Sequence, residues 1–202
     1  VTIRKGKEYG AIGPLPSGSP IAHSDAELRA IIEEPFLRGI SLPTVGLVGG
    51  DLCRTLGGPR SLAELEGSNA LIAAVDIVSV TADGKRFISV AHVSIGKLFG
   101  RNSVAIMNAQ WQGELDLGPR SHPGDGLVDI TSGRLPFRSR RLALKRARTG
   151  SHLPHPQLSS VRVGHWEARF DRAVAVQIDG ESVGSFRTFS IDVVDAALSV
   201  VV

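Results

Sequence analysis

Three groups of residues in this chain have the types and spacing to do chemistry. Asp179-Gly180-Glu181 places two carboxylates two positions apart after an apolar run, so both point roughly the same way. Paired carboxylates can act as a general base and its charge or metal partner. Asp-Gly is also the commonest signature of a tight hairpin turn, and residue types alone leave both readings open. Asp116, Asp125 and Asp129 fall within fourteen residues, around Gly118-Pro119 and Pro123-Gly124. A loop that gathers carboxylates and carbonyls can hold Mg2+ or Ca2+. No EF-hand spacing is present, however, and a plain polar turn at Asp125-Gly126 uses the same residues. Gly49-Gly50-Asp51 is a glycine turn between an apolar run and a short helical stretch. Such a turn can present backbone N–H groups to a phosphate, or Asp51 can simply cap the helix. Neither a Gly-x-Gly-x-x-Gly nor a Walker A pattern occurs.

The remaining reactive types form no comparable constellation. His152 and His155 are separated by Leu153-Pro154, so they do not share a helical face. No Gly-x-Ser-x-Gly elbow accompanies the serines. Cys53 is the single cysteine, which excludes a disulfide framework and a cysteine-based zinc site.

These groups must be positioned by the elements around them. Ser24 and Glu27 form a capping-box pattern ahead of Leu28, Ile31 and Ile32, which lie on one helical face, and Pro35 is expected to end or kink that helix. Residues 42–48 suit a buried strand, and 52–56, closed by Gly57-Gly58, a short helix. Ser61 and Glu64 repeat the capping box. From about residue 69 the pattern changes to strands: 70–80, 86–94, 103–112, 126–131, 159–163, 168–178, 182–191 and 197–202. Asp83-Gly84 and Asp179-Gly180 mark tight turns, and only 139–147 reads as helix. The fold class expected is α+β, mainly β: a short α/β segment over 1–68, then an antiparallel β-sandwich over 69–202.

At 202 residues the chain can bury a full core, and its 42% hydrophobic and 21% charged content is that of a globular protein. No apolar run approaches a membrane span, and the charged start carries no signal-peptide pattern, so a cytoplasmic location is expected. Residues 134–148 hold seven of the 23 basic side chains and none of the 20 acidic ones. An anionic membrane surface would attract Arg138, Arg140, Arg141, Lys145, Arg146 and Arg148, at about 1 kcal/mol per basic residue. Peripheral membrane attachment competes there with a simple solvated helix face. Nucleic acid is not expected, because only Phe137 is available for base stacking. Exposed sandwich edges make a homodimer an expectation.

Taken in order, these stretches resemble one family, the bacterial diacylglycerol kinase-like lipid kinases, relatives of sphingosine kinases and, more distantly, of NAD kinases. Residues 48–57, Val-Gly-Gly-Asp-Leu-Cys-Arg-Thr-Leu-Gly, are similar to the family's Thr-Gly-Asn-Asp-Leu-Ala-Arg-x-Leu-Gly. Asn108, Gly113, Pro119, Asp125, Gly126 and Asp129 follow the order of its glycine-rich loop, and Gly150-Ser151-His152 is similar to its Gly-x-His. Asp179-Gly180-Glu181 before the last apolar strand resembles its C-terminal signature. The resemblance implies a two-domain kinase in which Asp179 is the base that activates a lipid hydroxyl and Glu181 its partner. It further implies Mg2+ held by the loop of Asp125 and Asp129, and Gly49, Gly50, Asp51 and Asn108 on the cofactor side, with Asp51 in an acidic network between domains.

Two departures qualify that expectation. The family binds ATP through Gly-Gly-Asp-Gly-Thr, which does not occur in these 202 residues, and the 43 residues before Thr44 are too few for its nucleotide-binding half. Val48 and Gly50 also replace the family's Thr and Asn, removing polar groups where phosphates would lie. The expectation is a kinase-like protein whose 1–68 segment is a remnant of the nucleotide-binding domain. It would bind a lipid, a small ligand or a partner chain without transferring phosphate. The alternative is an ATP-dependent lipid kinase with Asp179 as base and an atypical or partner-supplied nucleotide site.

Overall fold

The computed structural model describes residues 10–202; the part of the expected N-terminal loop over 1–9 lies outside them. Two short strands, β1 (Ala11–Ile12) and β2 (Ile21–Ala22), precede helix α1 (Asp25–Leu37). Ser24 caps α1 by accepting the Glu27 N–H, and Glu27 in turn accepts the His23 N–H. Pro35 does not end the helix; it sits in the last turn, two residues before the end, where few backbone bonds remain to be lost. Strand β3 (Val45–Leu47), α2 (Asp51–Thr55) and α3 (Leu62–Leu65) follow. Ser61 and Glu64 form the reciprocal capping box at α3.

The rest of the chain is mainly β, as expected. Strands β4 (Leu71–Ala82), β5 (Lys85–Ser89), β6 (His92–Ile95) and β7 (Ser103–Met107) lead to a small hairpin, β8 (Trp111–Gln112) and β9 (Leu115–Asp116). Then come β10 (Val128–Gly133), α4 (Phe137–Ala147), β11 (Leu158–Val163), β12 (His165–Ile178) and β13 (Glu181–Val201). Apart from β8 and β9, the strands join one sheet with the path β1-β4-β13-β12-β6-β7-β10-β11. Strand β5 adds to β4, and β3, with β2 beside it, runs parallel to the end of β13.

The sheet curls until its two ends face each other. Strands β4 and β7 are four places apart in the path, yet Val78 and Val80 share a buried cluster with Val104, Ile106, Val128 and Ile130. Three irregularities interrupt the pairing of the long strands: two along β12, between Arg169 and Val174 and between Val176 and Gln177, and one in β13 between Val194 and Leu198. The one in β13 falls where two expected strands, 182–191 and 197–202, join into one. Ala196, with φ +48°, donates its N–H to the buried carboxylate of Asp76, which keeps the chain in the sheet through the bend.

The opposite face of β4 and β13 carries the N-terminal elements. Leu28 and Ile32 of α1, Val45 and Leu47 of β3, and Leu52 of α2 pack with Val75, Ile77, Leu198 and Val200. Residues 10–68 therefore share both sheet and core with the sandwich. Their unfolding should be one cooperative event. Leu198→Ala, at a fully buried site facing the N-terminal layer, should cost ~2–5 kcal/mol. Urea denaturation followed by tryptophan fluorescence and by far-UV circular dichroism should give one shared transition at lower urea.

Candidate functional site

The site is built around Asp179. It opens a hairpin turn with φ +50°, followed by Gly180 at +86°. The Asp83-Gly84 turn has nearly the same geometry, at +46° and +80°. There the likeness ends. The Asp83 carboxylate stays outside and accepts the Arg187 and Thr188 N–H groups. The Asp179 carboxylate turns inward, its side chain wholly inaccessible. Its Oδ1 accepts the Ser89 hydroxyl at 2.8 Å, the Ala91 N–H at 2.9 Å and the His92 N–H at 3.0 Å; its Oδ2 accepts the Val90 N–H at 3.0 Å. These contacts explain why the single strand expected over 86–94 is interrupted. At Val90 and Ala91 the chain donates to Asp179 instead of to a neighbouring strand.

A second layer of charge surrounds this carboxylate. Arg29 of α1 brings Nε to 3.9 Å from Asp179 Oδ2, and its Nη2 pairs with Glu181. Asp25 caps α2 from outside, accepting the Asp51 N–H at 2.7 Å and the Leu52 N–H at 3.0 Å. The glycine pair makes room for it. Gly50 has φ +97°, and a Cβ there would stand 2.6 Å from Asp25 Oδ1. Asp51 hydrogen-bonds His92 Nε2 at 3.1 Å and accepts the Gly113 N–H at 2.9 Å. Arg54 donates to the Gly113 carbonyl and lies 3.6 Å over the Trp111 ring, so α2 grips the β8–β9 hairpin from two positions.

Burial and charge act against each other here. Burial raises the Asp25 carboxyl to about 6, and it also raises Asp179, against the pull of His92 and of four hydrogen bonds. Burial alone would lower His92, but the Asp51 hydrogen bond and the charges of Asp179, Asp51 and Asp25 outweigh it, and the imidazole is raised. Asp51 is lowered, because His92 and the Gly113 N–H overcome its desolvation. Arg29 and the raised His92 imidazole thus stand against three crowded carboxylates.

The residues singled out in the sequence fall in different places. Gly49, Gly50 and Asp51 adjoin Asp179 through Asp25 and His92, and the helix-start N–H groups of Asp51 and Leu52, which a phosphate would need, already donate to Asp25. Asn108 is fully buried and ties strands together, its Nδ2 donating to the Asp76 and Val90 carbonyls. Glu181 adjoins Asp179 on the exposed side, its side chain 60% accessible. Asp125 pairs with Arg162 and accepts the Leu127 N–H. Asp129 bonds Ser121 and lies 3.6 Å from Arg120. The two share no partner, and each faces an arginine, so this donor set does not fit Mg2+. Reading the sequence missed Asp25, Arg29, Ser89 and His92. Only Asp25 carried a signal, as an acid in the first turn of a capped helix; the others are recruited by chain crossings that no local spacing records.

A separate cavity of about 440 Å3 lies beyond β10. Leu117, Pro154 and Leu158 give it apolar walls, and Arg120, Asp129 and Thr131 polar ones. Asp129 is nearly buried, its Oδ1 has no hydrogen-bond partner, and burial raises its carboxyl. Beside the cavity, His152 is buried against Phe99 with neither ring nitrogen hydrogen-bonded. Burial lowers its basicity, so the ring is neutral at pH 7.

Residues 64–202 match the family model described as the YegS C-terminal NAD kinase beta sandwich-like domain. The chain belongs to this family. Three solved structures from Bacillus anthracis str. Sterne, all described as diacylglycerol kinases, share the fold of this YegS-type sandwich. Over 89% of this chain and 75% of the first, the TM-score is 0.65 at 15% identity. Over 89% and 76% of another it is 0.60 at 16% identity. The remaining one gives 0.53 at 16% identity over 79% of this chain and 66% of its own. No curated protein matches the sequence.

Two outcomes test the geometry of this YegS-type site. Asp179→Asn keeps one of two acceptor oxygens and turns an NH2 toward backbone donors. It should cost about 3 kcal/mol and lower the melting temperature, instead of leaving the fold intact as a dispensable base would. The raised Asp25 means that the folded chain holds this proton more tightly than the unfolded chain. Its contribution to stability is therefore full below about pH 4 and falls by up to ~3 kcal/mol as pH rises to about 6. Melting curves across that range should show a flatter slope for Asp25→Asn than for the wild type.

Proposed function

We propose that the chain is a diacylglycerol kinase-like module that binds a hydroxyl-bearing lipid without phosphorylating it. One observation carries the reading: the Asp179 carboxylate accepts four hydrogen bonds and has no accessible surface. A general base must reach the proton it removes, and this one faces its own backbone. Two further features agree with it. Asp25 takes the N–H groups of the glycine turn, and the Asp125 loop bonds arginine where the resemblance implied Mg2+. Phosphoryl transfer depends on cradling the γ-phosphate and its metal, and neither cradle is open.

The cavity beside β10 has the character of a lipid-headgroup and glycerol site. Apolar walls accept chain methylenes, and the Arg120–Asp129 pair and Thr131 supply polar groups for a hydroxyl. Its volume suits the glycerol end of a lipid, with the acyl chains extending outward.

The test pairs transfer with binding. Incubation with γ-labelled ATP·Mg2+ and dispersed diacylglycerol should yield no labelled phosphatidic acid. Radiolabelled diacylglycerol in detergent micelles should be retained by the protein, and Leu158→Trp, which fills the cavity, should weaken retention at least tenfold (~1.4 kcal/mol). Labelled phosphatidic acid would establish the ATP-dependent lipid kinase instead, and its loss in Glu181→Gln would place Glu181 in that site.

A further inference from the structure

Helix α4 leaves a large charge unbalanced. Arg134, Arg138, Arg141, Lys145, Arg146 and Arg148 are exposed, and Arg140 is half-buried. None of the seven joins an ion pair among the described residues, although Arg29, Arg38, Arg120 and Arg162 all do. Two more exposed cations, Lys97 and Arg101, stand in the adjoining β6–β7 loop, which accepts the Leu135 N–H at the Phe99 carbonyl. Like charges gathered without acids raise the energy of the folded chain. Among the described residues no acidic side chain pairs with this charge.

The same surface exposes apolar bulk. Phe137 is 74% and Leu142 48% exposed, two of the seven large hydrophobic side chains left in the open among the described residues. Ala143 and Ala147 mark the inward face, packed with Leu117 and Phe99. At 100° per residue, Phe137, Arg148, Arg141, Lys145, Arg138, Leu142 and Arg146 spread over about half the circumference, opposite those alanines. The two apolar side chains thus border a stripe of cations. That pattern fits a surface that is anionic outside and apolar a few ångströms deeper.

We infer that α4 docks on an anionic membrane surface, with its cations among lipid headgroups and Phe137 and Leu142 at the acyl boundary. Charge and exposure on this helix carry the inference, and it stands whether or not the cavity takes a lipid. It also has a spatial consequence. Gly150, Leu153 and Pro154, in the loop directly after α4, line the cavity, so docking would bring the headgroup layer within one loop of it. Nucleic acid would satisfy the charge alone, but it would give the exposed Phe137 and Leu142 no apolar partner and offers no role for the paired stripe.

Flotation of the full chain with phosphatidylcholine vesicles, with and without phosphatidylserine, tests the inference. Binding should appear with phosphatidylserine and weaken with salt. The triple variant Arg138→Gln, Arg141→Gln, Lys145→Gln should lose about fivefold in partitioning per cation, on the order of a hundredfold in all. Phe137→Ser should weaken binding severalfold and leave its salt dependence unchanged, because it removes no charge. These side chains lie outside the core, so both variants should melt as the wild type does. Equal binding to neutral vesicles, or an unaffected triple variant, would overturn the inference. So would tighter binding of a DNA duplex than of anionic vesicles through the same cations.

Discussion

The inward carboxylate of Asp179 organises one whole end of the molecule. Carboxylates are seldom buried, because desolvation penalises their charge. This one is tolerated because four donors converge on it and Arg29 stands close by. The donors come from the connection between β5 and β6, where the sheet passes from one layer to the other. Without this acceptor, the buried N–H groups of Val90, Ala91 and His92 would lose the partner they have. Asp179 makes that crossing affordable, and the curl of the sheet depends on the crossing.

From this constraint follows the arrangement around it. Arg29 must approach from α1, so α1 must lie across the sheet end. Asp25, at the start of the same helix, is then placed to cap α2. Asp51, at the head of α2, meets His92 and the β8–β9 hairpin. One chain of hydrogen bonds therefore runs from the last hairpin through the N-terminal helices to the glycine-rich region. The resemblance to lipid kinases implied chemistry for three of them, Asp179, Glu181 and Asp51. Here those carboxylates bond groups of the chain itself, and the cavity, with its Arg120 and Asp129 pair, lies elsewhere, beyond β10.

Helix α4 shows the opposite treatment of charge. Around Asp179 the carboxylates are held by Arg29, by His92 or by backbone N–H groups, which is the condition for burying charge. On α4 the cations stay in water and form no ion pair among the described residues. Water permits this where the interior does not, and a surface so charged is free to meet an external partner.

Much of this was legible in the residues themselves. Alternating apolar runs, Asp-Gly turns and capping boxes specify elements through contacts a few residues apart, so the mainly β order, the capped α1 and α3 and the helix near 140 could be read directly. The basic stripe was legible for the same reason. The roles of the acidic residues were not. Asp83-Gly84 and Asp179-Gly180 are the same local instruction, and both make the same turn. One aspartate bonds the next strand in solvent; the other is buried against a crossing about ninety residues away in sequence. Gly50, spaced like part of a phosphate turn, instead gives space to Asp25. Local sequence determined the turns and helices, because their energies are local. Which carboxylate lost its water was decided by the tertiary structure, because desolvation and ion pairing depend on segments far apart in the chain.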